Sequence, residues 1–280
     1  MPRVIIVGCG FLGEAAADFF CAEGWDVLGL CASEESANRL AGKPYASGVQ
    51  DVRREFSADP DWRGADALVH CVSSGRGGGA DAYRAVYLDG LLNALTAFQP
   101  RRALFTGSTS VYGQTDGSWV DENSETSPSR ETSRILLDAE GVALAAGGYV
   151  ARLSGLYGPG RSVLLRKFLS GESVIEGDGS RWINQIHRDD AARAITHLFL
   201  HRADPGLYNV SDDTPATQRE VYGWLSDLTE RPLPPHGEPD LTRKRGWSSK
   251  RICNARLRAT GWVPVYDSYR AALPHLLPAK

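Results

Sequence analysis

The segment Val4-Ile5-Ile6-Val7-Gly8-Cys9-Gly10-Phe11-Leu12-Gly13 constrains the fold more than any other part of the chain. Four consecutive apolar residues read as a short strand buried on both faces. Leu12, Ala15, Ala16, Phe19 and Phe20 then recur at helical spacing. A G-x-G-x-x-G run that follows a buried strand and opens an amphipathic helix is the context a diphosphate-binding turn requires. Gly8 allows the tight turn, Gly10 lets the backbone approach a pyrophosphate, and Gly13 lets helix and strand pack closely. The first helical residues, Phe11 and Leu12, begin a helix whose N–H groups and partial positive charge face the phosphates. The expected ligand is a dinucleotide. The alternative is a glycine-rich turn with no ligand. FAD would use the same turn, but nothing later in the chain supports it.

The rest of the chain fits a repeated βαβ rhythm. Strands are expected at Arg3–Val7, Asp26–Cys31, Ala67–Val72, Arg102–Thr106 and Tyr149–Leu153, with a helix from about Asp81 to Phe98. Short apolar runs alternating with helical patterns imply an α/β Rossmann fold, a doubly wound parallel sheet. The chain has 280 residues, 42% of them hydrophobic, enough for a large core plus a smaller lobe. Residues 1–158 are expected to form the dinucleotide-binding domain, with 182–212 contributing to its sheet. Residues 159–181 and 213–280 are expected to form a small C-terminal substrate lobe. Four prolines between Arg231 and Asp240 predict an irregular loop there.

A net charge of −3 with mixed signs argues against a nucleic-acid partner. No apolar run is long enough to span a membrane, and the N-terminus reads as a strand, so the expected location is the cytoplasm. The five cysteines are widely spaced and give neither a disulfide framework nor a zinc pattern. They read as reduced core residues, with a reactive thiol at the cofactor edge as the minority reading.

The end of the second strand normally selects the cofactor, because an acid there bonds the ribose 2′-OH of NAD. Here it reads Leu30-Cys31-Ala32-Ser33. No acid is present unless Glu34 or Glu35 turns back. Ser33, with Arg39 from the next helix, would hold a 2′-phosphate, which favours NADP slightly over NAD. The alternative for Ser33 is a helix N-cap. Asp51 would accept from an adenine amino group, and Val52 would cover the ring. Ser73 would face the cofactor ribose, and Ser74 the substrate. The Gly75–Gly79 run that follows reads equally as a mobile loop over the site or as a connector.

Several later segments resemble the extended short-chain dehydrogenase/reductases, the NAD-dependent epimerase/dehydratase group. Asp66 to Val72 is similar to the D-x-V-x-H-x-A strand, and Thr106 to Gly113 to S-S-x-x-V-Y-G. Arg152 to Gly160 resembles R-x-x-x-x-Y-G-P-G. Arg181 to Asp190 resembles R-x-F-x-x-I-H-V-x-D, and Tyr208 to Ser211 matches Y-N-V-S. Two departures stand out. Val7 occupies the first glycine position of that group's turn, and the catalytic Y-x-x-x-K occurs nowhere in the chain. Where it belongs, Thr132 stands for Tyr and Leu136 for Lys. The combination is similar to an atypical subgroup marked here by Gly158-Pro159-Gly160-Arg161 and Arg251-Ile252-Cys253-Asn254.

The resemblance implies a nicotinamide-dependent oxidoreductase or epimerase/dehydratase with a rearranged proton donor. A threonine hydroxyl is far less acidic than a lysine-activated phenol, and Leu136 brings no charge. The candidate replacements are Ser108, Tyr112 and Tyr157. Tyr83 and His187 are candidate substrate contacts, with backbone bonding near the lobe junction as the other reading of His187; Arg161 and Arg181 would clamp an anionic substrate group, or else are solvated or salt-bridged arginines. No metal is expected. The partners are a small-molecule substrate and, through helix packing, a second copy of the chain. Two competing readings are a non-catalytic NADP(H) sensor and a non-redox lyase or cyclase on the same fold.

Overall fold

A computed structural model describes residues 1–56, 59–75, 79–128, 130–241 and 247–278. The central sheet is built from β1 (Arg3–Val7), β2 (Asp26–Cys31), β3 (Ala46–Val49), β4 (Ala67–His70), β5 (Ala103–Ser108) and the strands Tyr149–Leu153 and Gly206–Val210. Its seven parallel strands lie in the order Gly206–Val210, Tyr149–Leu153, β5, β4, β1, β2, β3. Ile5 stands beside Leu28 on one side and Leu68 on the other. The chain therefore winds outward from β1 in both directions, and the order reverses between β1 and β4. Ligands of open parallel sheets bind at such a reversal, beyond the carboxyl ends of the strands.

Strand alternation explains why both faces are covered. Ile5 and Val7 share one face with Ala94 and Phe98 of helix α4 (Gly90–Phe98). Ile6 points to the opposite face, where Gly13 of helix α1 (Phe11–Ala22) lies against it. A chain buried on both faces needs continuous apolar runs, which is what Val4 to Val7 supplies.

The chain divides into two compact units. The first comprises Met1–Ser108, Glu131–Arg152 and Ala191–Tyr208, and the second the segments between and after them. This division departs from the expected boundaries, most plainly in two segments. Thr109–Arg130 belongs to the second unit, because the N–H groups of Ser249, Arg251 and Cys253 bond the carbonyls of Gln114, Ser118 and Val120. Residues 182–190 do not enter the central sheet. Gln185–His187 pairs instead with Gly155–Tyr157 inside the second unit, and of the 182–212 stretch the sheet takes Gly206–Val210.

Smaller differences concern single elements. The fifth strand runs on to Ser108, past its expected end at Thr106. The expected helix 81–98 contains Ala80–Tyr83, a π-helical stretch Arg84–Asp89, and α4. The proline-rich loop carries one short strand, His236–Gly237, paired with Ile175–Glu176. Residues 76–78 of the glycine run lie outside the described residues. All five cysteines are free thiols. Burial raises the Cys9 and Cys31 thiols and pushes Cys71 up to about 12, which disfavours the reactive thiolate. Among the described residues no helix is long and apolar enough to cross a membrane, and no group of three or more metal-ligating side chains occurs.

Candidate functional site

The turn between β1 and α1 is shaped by what its glycines exclude. Gly8 has φ +91°, and a Cβ there would lie 2.8 Å from the backbone of Val72. A Cβ on Gly13 would collide with the Gly8 carbonyl oxygen. Neither position admits a side chain. Gly10 is different: a Cβ there meets nothing within 4 Å. Gly10 is also the N-cap of α1 and offers no capping side chain. An uncapped helix start facing open space leaves its amide hydrogens available to an anion. The Gly8 and Cys9 amides bond Leu30 O at 3.0 and 2.8 Å, fixing the turn against β2. Phe11 is half-buried and Leu12 buried, so they anchor the first helical turn. These residues fit a dinucleotide pyrophosphate.

At the end of β2, Ser33 is exposed and caps the short helix Glu34–Asn38, accepting from Ser36 N at 3.4 Å. Arg39 Nη2 donates to Ser36 Oγ at 3.3 Å, so the three side chains form one hydroxyl–guanidinium cluster. Asp51 is committed to its own loop. Its Oδ1 accepts from Arg53 Nε at 2.9 Å and its Oδ2 from Arg53 Nη2 at 2.6 Å. The Arg53 guanidinium holds the Asp51 carboxyl below its ordinary value. Val52 lies in the core with Ile5, Val7 and Leu30, while its carbonyl accepts from Asn93. The expectation that its side chain covers an adenine is therefore corrected: it packs inward because Gly90 leaves room for it.

Beyond β4, Ser73 is exposed and Ser74 half-buried. Ser74 N donates to the Tyr87 hydroxyl at 3.3 Å. Tyr83 is buried, its ring 4.8 Å from that of Tyr87. Ser108 closes β5 and is buried. On helix α5 (Glu131–Ala145), Leu136 is buried, as expected for a residue with no charge to present. One turn on, Glu140 forms a buried ion pair with Arg152.

The second unit corrects three candidates. Tyr112 is 1% exposed and donates its hydroxyl to Asn209 Oδ1 at 2.9 Å, so its phenol is a core tie. Tyr157 is buried with no partner for its hydroxyl. Burial, reinforced by Asp212 and Asp190, raises that phenol further from neutrality. An acid or base must reach its substrate with a pKa near the working pH, and Tyr157 meets neither condition. His187 is buried between Tyr157 and Tyr266, with ring centroids at 5.5 and 4.4 Å. Its Nδ1 accepts from Asp189 N at 3.3 Å, and burial lowers its pKa. It is a neutral core histidine.

Arg161 is exposed in a tight turn whose backbone bonds Gly158 in both directions. Arg181 lines a cavity of about 370 Å³ together with Trp182, Trp247, Ser180 and Ser249. Its Nε lies 3.2 Å from Glu176 Oε2, which also accepts from Trp247 Nε1. The expected anion clamp is thus already paired to an internal carboxylate. Glu176, Trp247 and the buried Lys250 were not singled out by sequence reasoning. Glu176 and Trp247 lie 71 residues apart, and Lys250 and Tyr112 138 apart, so no local pattern signals these contacts.

The sequence pattern of the NAD dependent epimerase/dehydratase family matches residues 4–211. The chain belongs to that family. Protein YeeZ of Escherichia coli K12 is 29% identical over 263 residues, covering 91% of this chain and 94% of YeeZ. A Methylobacillus flagellatus protein named as an NAD-dependent epimerase/dehydratase is 30% identical, with TM-score 0.79 over 98% of this chain and 97% of its own. The dTDP-glucose 4,6-dehydratase of Bacillus anthracis, solved in complex with NAD, superposes with TM-score 0.80 at 17% identity, over 99% and 95% of the two chains. The likeness to the dehydratase concerns the fold.

Proposed function

We propose that this epimerase/dehydratase-family chain binds a nicotinamide dinucleotide, NADP in preference to NAD, and uses it on a small polar substrate without the Tyr–Lys pair. The observation that carries the reading is the turn in which Gly8 and Gly13 exclude any side chain and Gly10 alone faces open space. When bound, the nicotinamide ring supplies two-electron hydride chemistry. The chain's own residues do the rest. The amides that open α1 hold the diphosphate. Ser33, Ser36 and Arg39 receive the 2′-phosphate, since no carboxylate stands at Cys31 to Ser33. Ser108 offers its hydroxyl to a substrate oxygen at the carboxyl end of β5, the sheet edge where open parallel sheets place their chemistry. The bacterial dehydratase with NAD supports the cofactor class by analogy of fold.

Calorimetric titration with NADP and NAD tests the reading. Micromolar binding of NADP, with NAD weaker, is the expected result. Absence of binding by either at millimolar concentration overturns it.

A second reading, a dinucleotide-binding sensor without turnover, draws on the burial of Tyr112, Tyr157 and His187. Consumption of NADPH with a panel of carbonyl substrates separates the two. Tight binding with no consumption would favour the sensor.

A further inference from the structure

The run Ser248 to Asn254 lies far along the chain from the Gly8–Gly13 turn and is tied tightly into the second unit. Its backbone pairs with Trp119–Val120, and Asn184 brackets it by donating to Lys250 O and accepting from Ile252 N, both at 2.8 Å. Lys250 points inward from this strap and is 4% exposed. Its Nζ donates to Tyr112 O at 2.8 Å and to Ser248 Oγ at 2.9 Å.

Two neutral acceptors are an unusual setting for an ammonium group. Among the described residues no carboxylate comes within ion-pair distance of Nζ. An ammonium carries three N–H donors and a neutral amine two, and two acceptors are present. The charged groups around it offer no counter-ion. Arg181 is a second cation. Arg251 turns its Nε to Gly117 O, with its guanidinium against the rings of Trp119 and Trp182. Asp116 is exposed and caps Ser118 N, and Glu176 faces Arg181 and Trp247. Burying an unpaired cation is costly, so such a group gives up its proton more readily than an exposed lysine does.

Tyr112 is the residue held. Its N–H closes the turn Thr109–Val111 on Thr109 O, its carbonyl accepts from Lys250, and its phenol donates to Asn209. Asn209 Nδ2 in turn donates to Cys253 O at 3.2 Å, which leads back into the strap. The loop of contacts is closed.

We infer that Lys250 is a positioning residue, which fixes the turn Thr109–Val111 by gripping the Tyr112 carbonyl. Its bearing on activity rests on the proposed function, because that turn follows Ser108 directly in the chain. The direction of titration agrees: burial, and then Arg181, push the Lys250 amine down to about 8.

The test uses the full chain labelled with [¹³Cε]lysine. An NMR titration is expected to show one lysine resonance with a midpoint near 8, missing in Lys250→Met. A Lys250 midpoint near the ordinary 10.5 overturns the proposal. Hydrogen exchange on peptides spanning 109–113 is expected to speed up about tenfold in Lys250→Met, the loss of one buried hydrogen bond, with β1 and β4 unchanged. In Lys250→Gln, an uncharged donor, protection is expected to return in part. Equal protection in wild type and Lys250→Met overturns the positioning role. If Lys250→Met fails to fold, the wild-type titration still decides. Dinucleotide calorimetry on the wild type is independent, so its failure would sink the proposed function and leave these readouts standing.

Discussion

Arg152 holds Glu140 in a two-pronged grip: Nε lies 3.0 and 3.1 Å from the two carboxylate oxygens, and Nη2 lies 2.6 Å from Oε2. Both side chains are buried in the first unit, where Gly107 leaves room for the carboxylate on β5. Burial pushes the Glu140 carboxyl up while Arg152 draws it back. Breaking one partner of such a pair strands the other charge. Glu140→Ala is therefore expected to cost about 3–5 kcal/mol in urea unfolding. Glu140→Leu with Arg152→Met should recover most of that loss. If the double variant is no better than the single, the stranded-charge account is wrong.

Gly10 separates binding from folding. Because a Cβ there meets nothing, Gly10→Ala is expected to leave stability within about 0.5 kcal/mol of wild type. The methyl group would stand where the pyrophosphate must approach, so dinucleotide affinity should fall at least about tenfold. Gly13→Ala, clashing with Gly8 O, should lower both. Calorimetry and thermal melts on the two variants check the contrast. Unchanged affinity in Gly10→Ala would place the ligand elsewhere.

The cofactor preference turns on Arg39. Removing a charged hydrogen-bond donor to a phosphate is worth about 1.5–3 kcal/mol, so Arg39→Ala should weaken NADP about tenfold or more. NAD, lacking the phosphate, should bind as before. Parallel losses for both cofactors would refute a 2′-phosphate role.

The buried imidazole of His70 sets an acid limit on stability. It lies at the end of β4 against Phe105, neither ring nitrogen has a partner among the described residues, and burial lowers its pKa to about 3. The unfolded chain takes up the proton near 6.5, while the folded one refuses it until about 3. The unfolded state binds more protons in that window, so stability falls as pH falls. The expected loss from this group is about 2 kcal/mol between pH 8 and pH 5. Burial lowers His187 in the same direction. Urea unfolding of His70→Phe should show a shallower acid slope, and an unaltered slope would exclude His70 as its source.

Tyr157 provides a negative control. Its hydroxyl is buried without a partner, so Tyr157→Phe removes an unsatisfied group and should be neutral or stabilising. Any NADPH turnover should persist in the variant. A large drop in turnover would return Tyr157 to the mechanism.

The reading of Val4 to Gly13 needed no tertiary information. A strand, a turn and a helix in immediate succession are local events; Gly13 is dictated by the Gly8 carbonyl within that unit, while the clash that dictates Gly8 comes from the Val72 backbone beyond β4. Periodicity likewise placed β1, β2 and the strand Tyr149–Leu153 at their observed bounds. The side-chain candidates fared differently. Tyr112 and Tyr157 carry the right chemistry, but a phenol's usefulness depends on what surrounds it. Asn209 lies 97 residues from Tyr112, and Lys250 lies 138 residues away. Thr109–Arg130 similarly joins the second unit through a strap from near the C-terminus. Local sequence thus determined the Rossmann turn and the parallel sheet, because backbone geometry and hydrophobic periodicity act over a few residues. Only the folded chain decided which polar groups are buried, paired or reachable, because burial and partnering are set by segments that meet in space and are far apart in sequence.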